Sequence, residues 1–180
     1  MLLRQGISLQ DGGLTGSAIS HWQAMLATST RLLGAGHAQA VAARDRLAVA
    51  FAAAGRSGDA IAVFRTALAD RERHQGYEPP DTITARGHLA SAYSAAGQPA
   101  QAVAAYEQMV ADASRQLGGW HPVTLTGRIG LAQTYLTVGR DSDSVAAYQE
   151  LMTDTERILG PDHPMTRTVR EDLGHAAGTG

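Results

Sequence analysis

Four arginines spaced 42 residues apart, Arg44, Arg86, Arg128 and Arg170, share their period with three aspartates, Asp70, Asp112 and Asp154. Each aspartate precedes the arginine of the following unit by the same interval. That spacing predicts the ion pairs Asp70–Arg86, Asp112–Arg128 and Asp154–Arg170 between successive units. The planar guanidinium suits a two-point hold on a carboxylate. The other chemistry open to such a row is a ladder for an acidic ligand. Seven histidines raise the question of a metal, but none stands at i, i+4 with an acidic partner as a helical zinc site requires. His121 and His163 lie one period apart, where repeat turns fall. Nor is there a Gly-x-Ser-x-Gly, a phosphate-binding glycine loop or a nucleophile beside a base. The sequence reads as no enzyme, with no metal and no cofactor.

Composition narrows the partners. A net charge of −2 argues against a nucleic-acid binder, which usually shows a basic patch. Without cysteine there is no disulfide and no thiolate site. The opening Met1-Leu2-Leu3-Arg4 lacks the apolar run and cleavage site of a signal peptide. No stretch approaches the roughly 20 apolar residues of a membrane span. The chain has neither lysine nor asparagine, residues of AT-rich codons, so a high-GC bacterial source and a cytoplasmic location are expected.

These residues are positioned by a repeat. Leu47-Ala48-Val49-Ala50-Phe51-Ala52-Ala53-Ala54-Gly55 returns as Leu89-Ala90-Ser91-Ala92-Tyr93-Ser94-Ala95-Ala96-Gly97, then as Leu131-Ala132-Gln133-Thr134-Tyr135-Leu136-Thr137-Val138-Gly139. A fixed period of this size marks a stacked-repeat architecture. A second motif, Ala18, Ile19 and Trp22, recurs as Ala60, Ile61, Phe64, as Ala102, Val103, Tyr106 and as Ser144, Val145, Tyr148, at spacings that share one helical face. Those helices stop at Gly34, Gly76, Gly118 and Gly160, where glycine suits a left-handed closing residue. Arg31, Arg73, Arg115 and Arg157 sit in their last turns, where a cation complements the helix dipole. The next helices open near Pro80, Pro122 and Pro164, proline being at home in a first turn. Thr82, Thr124 and Thr166 recur just inside them. The final copy is polar and is expected to cap the stack, ended early by Gly174 and Gly178-Thr179-Gly180.

The expected fold is an all-α, right-handed α-solenoid of antiparallel helix pairs. Its divisions are an N-terminal segment or degenerate helix at 1–14, a half repeat at 15–38, repeats at 39–80, 81–122 and 123–164, and a capping helix with tail at 165–180. The stretch 1–13 is either a degenerate helix or disordered.

The pattern Leu89, Ala90, Tyr93, Gly97, Ala102 and Tyr106 resembles the tetratricopeptide repeat. The 42-residue period and the linker Leu159-Gly160-Pro161-Asp162-His163-Pro164 more specifically resemble the kinesin-light-chain type. The resemblance implies a concave groove, lined by the first helix of each unit, that takes a peptide or partner segment. By that geometry the groove is lined by Asp45, Arg46, Val49, Thr84, His88, Ser91, Ser94, Thr126, Ile129, Gln133 and Thr137. Members of the subfamily often carry paired asparagines that clamp the peptide backbone. Here those positions read Asp45-Arg46, Gly87-His88, Ile129-Gly130 and Glu171-Asp172. The implied role is a non-catalytic protein–protein interaction module, such as the scaffold or sensor part of a bacterial regulatory protein. Two other readings stand beside it: a homo-oligomer that buries Trp22 or the N-terminal segment between copies, and a sensor of a small anionic ligand. Trp120 and Tyr77, at linker tips, either anchor a partner or pack on the neighbouring linker.

Overall fold

The computed structural model describes residues 15–73 and 79–178. Eight helices are described, α1 (Thr15–Leu33), α2 (Ala38–Ala53), α3 (Ser57–Arg73), α4 (Pro79–Ala95), α5 (Pro99–Gln116), α6 (Pro122–Thr137), α7 (Asp141–Leu159) and α8 (Pro164–Gly178). No strand occurs among the described residues. The chain forms two compact units, one ending at Gly97 and the other beginning at Gln98. Within each unit, every helix packs on the next in sequence. The segment 1–14, Gly76 and Tyr77 lie outside the described residues, as does the side chain of Arg73.

Two kinds of turn join the helices. Within a pair the turn is tight and glycine-closed. At the end of α2, the Gly55 N–H donates to Ala52 O at 3.0 Å and the Arg56 N–H to Phe51 O at 2.9 Å. At the end of α6, Gly139 and Arg140 repeat both bonds on Leu136 and Tyr135. Gly55 and Gly139 each have a φ of +71°, the left-handed conformation this closure needs. Arg56 and Arg140 then fold back over the aromatic ring of Phe51 or Tyr135, at 4.5 and 4.2 Å from its centroid. Each also binds the aspartate three residues on, Asp59 or Asp143, at 2.6 Å.

Between pairs the linker is longer and is locked by side chains. His37, His121 and His163 are N-cap residues whose Nδ1 accepts the N–H of Gln39, Val123 or Met165 at 3.2 Å. Thr124 and Thr166, fully buried, donate their hydroxyls back to Gly118 O and Gly160 O at 2.8 and 2.9 Å. The recurring histidine and threonine thus satisfy backbone groups that a helix start or end would otherwise leave unpaired. The helix after the second linker opens at Pro79, one residue before the expected position. The last helix runs through Gly174 and ends at Gly178, with Val169 and Ala176 both buried in the second core.

Each unit has its own core. In the first unit, Trp22, Phe64, Leu47, Phe51 and Leu89 pack among small alanines. Trp22 has no exposed surface, so it serves this core and is not the anchor for a second copy. In the second, Tyr148, Leu151, Leu125 and Val169 form the centre, and Trp120 packs against them with Arg157 above its ring at 5.9 Å. The second helix of a pair sends one aromatic onto the first helix of the next. Tyr106 lies over Gly130, where a Cβ would meet its ring at 2.6 Å. Gly130→Ala should therefore lower the melting temperature, the ~1–3 kcal/mol cost of overpacking outweighing the ~1 kcal/mol alanine otherwise gains in a helix. Gly127→Ala, which meets the movable Met109 at 3.1 Å, should cost less. Thermal melts of the two variants decide it, and an unchanged Gly130→Ala melt would show that Tyr106 swings away freely.

Candidate functional site

In the first unit, α2 and α4 face the same way and enclose a cavity of about 290 Å³. It is lined by Ala42, Asp45, Arg46 and Val49 of α2 and by Asp81, Thr84, Ala85 and His88 of α4. Of the expected groove residues, Asp45, Arg46, Val49, Thr84 and His88 therefore meet at one place. Ser91 and Ser94 lie further along α4, exposed and outside the cavity. Thr126, Ile129, Gln133 and Thr137 belong to α6 of the second unit. Thr126, Gln133 and Thr137 are exposed, while Ile129 leans on the second core. The Thr137 hydroxyl is turned to its own helix, on Thr134 O at 2.7 Å.

Charge is unevenly committed around the cavity. Arg71, reaching from α3 with its side chain 3% exposed, grips both carboxylate oxygens of Asp45, one at 3.0 Å. Arg46, the next residue, is exposed and makes no ion pair among the described residues. Asp81, in the first turn of α4, is likewise exposed and unpaired among them. His88 shows an edge to solvent, with the Phe64 ring 5.6 Å away behind it. The cavity walls desolvate its imidazole and hold its pKa below the usual 6.5, against the pull of Asp45 and with the help of Arg46.

The arginine row departs from its expected pairing at Asp112–Arg128 and Asp154–Arg170. Arg44 donates to Asp70 at 2.9 Å and Arg128 to Asp154 at 3.1 Å, so these pairs close the two helices of one repeat and not neighbouring repeats. The antiparallel hairpin brings these positions level. Arg128 has Glu150 as its second carboxylate, at 3.8 Å, in place of the expected Asp112. Asp112 itself accepts from Arg115 at 2.6 Å and from Gln108 at 3.1 Å. The expected Asp154–Arg170 pair is replaced by Arg170–Glu156 at 3.0 Å, nearer the linker. Arg115 and Arg157 are solvated helix-end residues paired to aspartates three positions earlier. Arg44 and Arg128 are thus committed to internal carboxylates and offer no ladder to an anion.

Two features of the second unit carried no sequence signal of function. Tyr148, buried, lies beside Asp172 of α8 and Gln133 of α6. Burial and the Asp172 carboxylate push its pKa up. A second cavity, about 310 Å³, lies between α5, α6 and α7, with Tyr135, Arg140, Asp143 and Glu150 on its walls. The Tyr135 phenol there donates to Glu107 at 3.1 Å, with burial and Glu107 raising its pKa.

The helix pairs, their glycine turns and their 42-residue register agree with the comparisons. A tetratricopeptide-repeat profile matches residues 81–153. Over 81–153 the chain carries tetratricopeptide repeats. Its fold is that of a Podosopora anserina protein, a putative kinesin light chain with nearly identical TPR-like repeats. That likeness has a TM-score of 0.88 at 23% identity and covers 98% of this chain and 84% of the other. BtubC (BKLC) from P. vanneervenii aligns with a TM-score of 0.74 at 18% identity, over 92% of this chain and 66% of its own. Bacillus thuringiensis PlcR, solved in complex with the peptide PapR7 and DNA, aligns with a TM-score of 0.62 at 12% identity, over 98% and 63%. At these identities the likeness establishes the all-α TPR-like fold. No curated protein matches by sequence. No described helix is long and apolar enough to cross a membrane.

Two outcomes follow from the cavity's charges. Asp45→Ala takes the two-point carboxylate from the buried Arg71 cation and should cost up to ~3 kcal/mol of stability, the scale for breaking a buried pair, whereas Arg71→Met with Asp45→Ala should recover part of it. Chemical denaturation of the single and double variants measures both. The lowered His88 pKa means that folding favours the neutral ring. Its contribution is complete above the unfolded value of about 6.5 and is lost as pH falls from there through the lowered folded value. Melting temperatures taken from pH 7.5 to 5 should fall less in His88→Gln than in the parent chain. Parallel curves would remove His88 from the pH response.

Proposed function

We propose that this chain is a non-catalytic interaction module that holds a segment of a partner protein on the face made by α2 and α4. The single observation that carries the reading is the cavity where Asp45, Arg46, Val49, Thr84 and His88 meet. Its Ala42, Ala85 and Val49 offer a small apolar seat, and its rim offers charge and a hydroxyl. Tetratricopeptide repeats are generic protein–protein interaction modules, and stacked helix pairs present extended surfaces of this sort. The peptide in the solved complex of PlcR supports a peptide as the occupant. The asparagine clamp is missing here, so side-chain pockets carry more of the recognition than backbone clamping does. In this reading 39–80, 81–122 and 123–164 are the repeats, and the module serves as scaffold or sensor part of a cytoplasmic bacterial regulator.

The test is a selection of displayed peptides on the immobilised chain. The parent chain should enrich binding sequences. Ala42→Trp, which fills the cavity from an exposed position and leaves the core untouched, should weaken a selected peptide at least tenfold while the melting temperature holds. Equal affinity for both chains would move binding away from this face.

A further inference from the structure

The cavity between α2 and α4 also carries a charge rule, which rests on the partner-segment reading above. Four charged or titratable side chains line it, but they are not equivalent. The Asp45 carboxylate is taken by Arg71 on both oxygens. His88 is held toward its neutral form by desolvation. That leaves Arg46 and Asp81, both exposed, both on the cavity wall and neither in an ion pair among the described residues. Arg46 stands close enough to His88 to act on its charge. Asp81 lies two helical turns before His88 on α4, a rise of about 10 Å along the axis. The open cation and the open anion therefore sit at opposite ends of one apolar seat.

We infer that the bound segment carries a carboxylate against Arg46 and a cation against Asp81, about 10 Å apart. In an extended segment, at roughly 3.3 Å per residue, that separation is about three residues. Between the two charges, small apolar side chains rest on Ala42, Ala85 and Val49. The rule belongs to this face alone. One period further on, the place of Arg46 is taken by His88, then by Gly130 and Asp172, and the place of Asp81 by Val123 and Met165. Like charges set at either end would be repelled, so the arrangement also fixes the direction in which the segment lies.

The rule is tested with a displayed random dodecapeptide library on the full chain, followed by fluorescence anisotropy with one synthetic enriched peptide. The expected pool pairs Asp or Glu with Arg or Lys two to four residues away. Arg46→Glu should weaken the peptide at least tenfold, and exchanging the peptide's acidic residue for lysine should restore binding to that variant. Asp81→Lys should show the mirror behaviour with the peptide's basic residue. Both side chains are exposed, so the variants should melt with the parent chain; Arg46→Gln and Asp81→Asn give the same direction with smaller effect if either reversal unfolds it. Enriched peptides that lack the pair, or that bind all variants alike yet are lost in Ala42→Trp, overturn the charge rule and leave the partner-segment reading standing. A library that yields no binder overturns both.

Discussion

Each second helix must lay one large ring on the helix that follows, and much of the chain is arranged around making room for it. The rings are Trp22, Phe64, Tyr106 and Tyr148, one per period. Three of their seats recur at one fixed step along the chain. Phe64 meets His88, Tyr106 meets Gly130, and Tyr148 meets Asp172. Packing at interior density leaves little slack, so the residue at each seat is dictated by its ring. A tyrosine lying flat on the helix demands glycine. A phenylalanine with no hydroxyl tolerates an imidazole.

The same constraint accounts for the missing asparagine clamp. His88, Gly130 and Asp172 occupy the second position of the clamp pair. At Gly130 and Asp172 that position is consumed inward, by the Tyr106 ring or the Tyr148 phenol. In the first pair, Asp45 is also turned inward, to Arg71. A residue cannot both satisfy a buried group of its own chain and bind a partner's backbone. What the α2–α4 face keeps for outside use is what the core did not claim: Arg46, Asp81, Thr84 and an edge of His88.

The repeat made the helices, their order and their glycine ends legible, because a period of 42 in apolar and small residues leaves few other architectures. Gly34, Gly118 and Gly160 adopt the positive φ expected of closing residues, and Gly55, Gly97 and Gly139 adopt it too. The partner of each charge was less legible. Asp70 stands in periodic register with the arginine before it and with the arginine after it, so the Arg44–Asp70 pair that the structure shows was not singled out by the period. The choice depends on which antiparallel neighbour stands level, a matter of turn length and helix rotation. The capping role of His121 and His163 was similarly hidden, since a turn histidine looks the same whether its Nδ1 is free or takes the N–H of Val123 or Met165. Asp45, Arg46, Val49, Thr84 and His88 converged because first helices one period apart present matching faces. Gln133 is exposed and lies near the buried Tyr148.

The charges of this fold divide into those the structure uses and those it leaves open. Arginine is the only strong cation available to a chain without lysine, and several of its copies hold helices together. Arg44, Arg71 and Arg128 bridge the two helices of a pair, and Arg56 and Arg140 staple the turn between them. A buried bridge of that sort contributes more to fixing a register than to net stability, since desolvation offsets most of its attraction. An exposed arginine with no partner has neither structural duty. Among the described residues Arg46 is such a residue, set on the wall of a cavity that also carries an equally uncommitted Asp81. Neither is neutralised by an ion pair among the described residues. They burden folding very little and their field is directed outward, which is the electrostatic condition for recognising a segment of complementary charge.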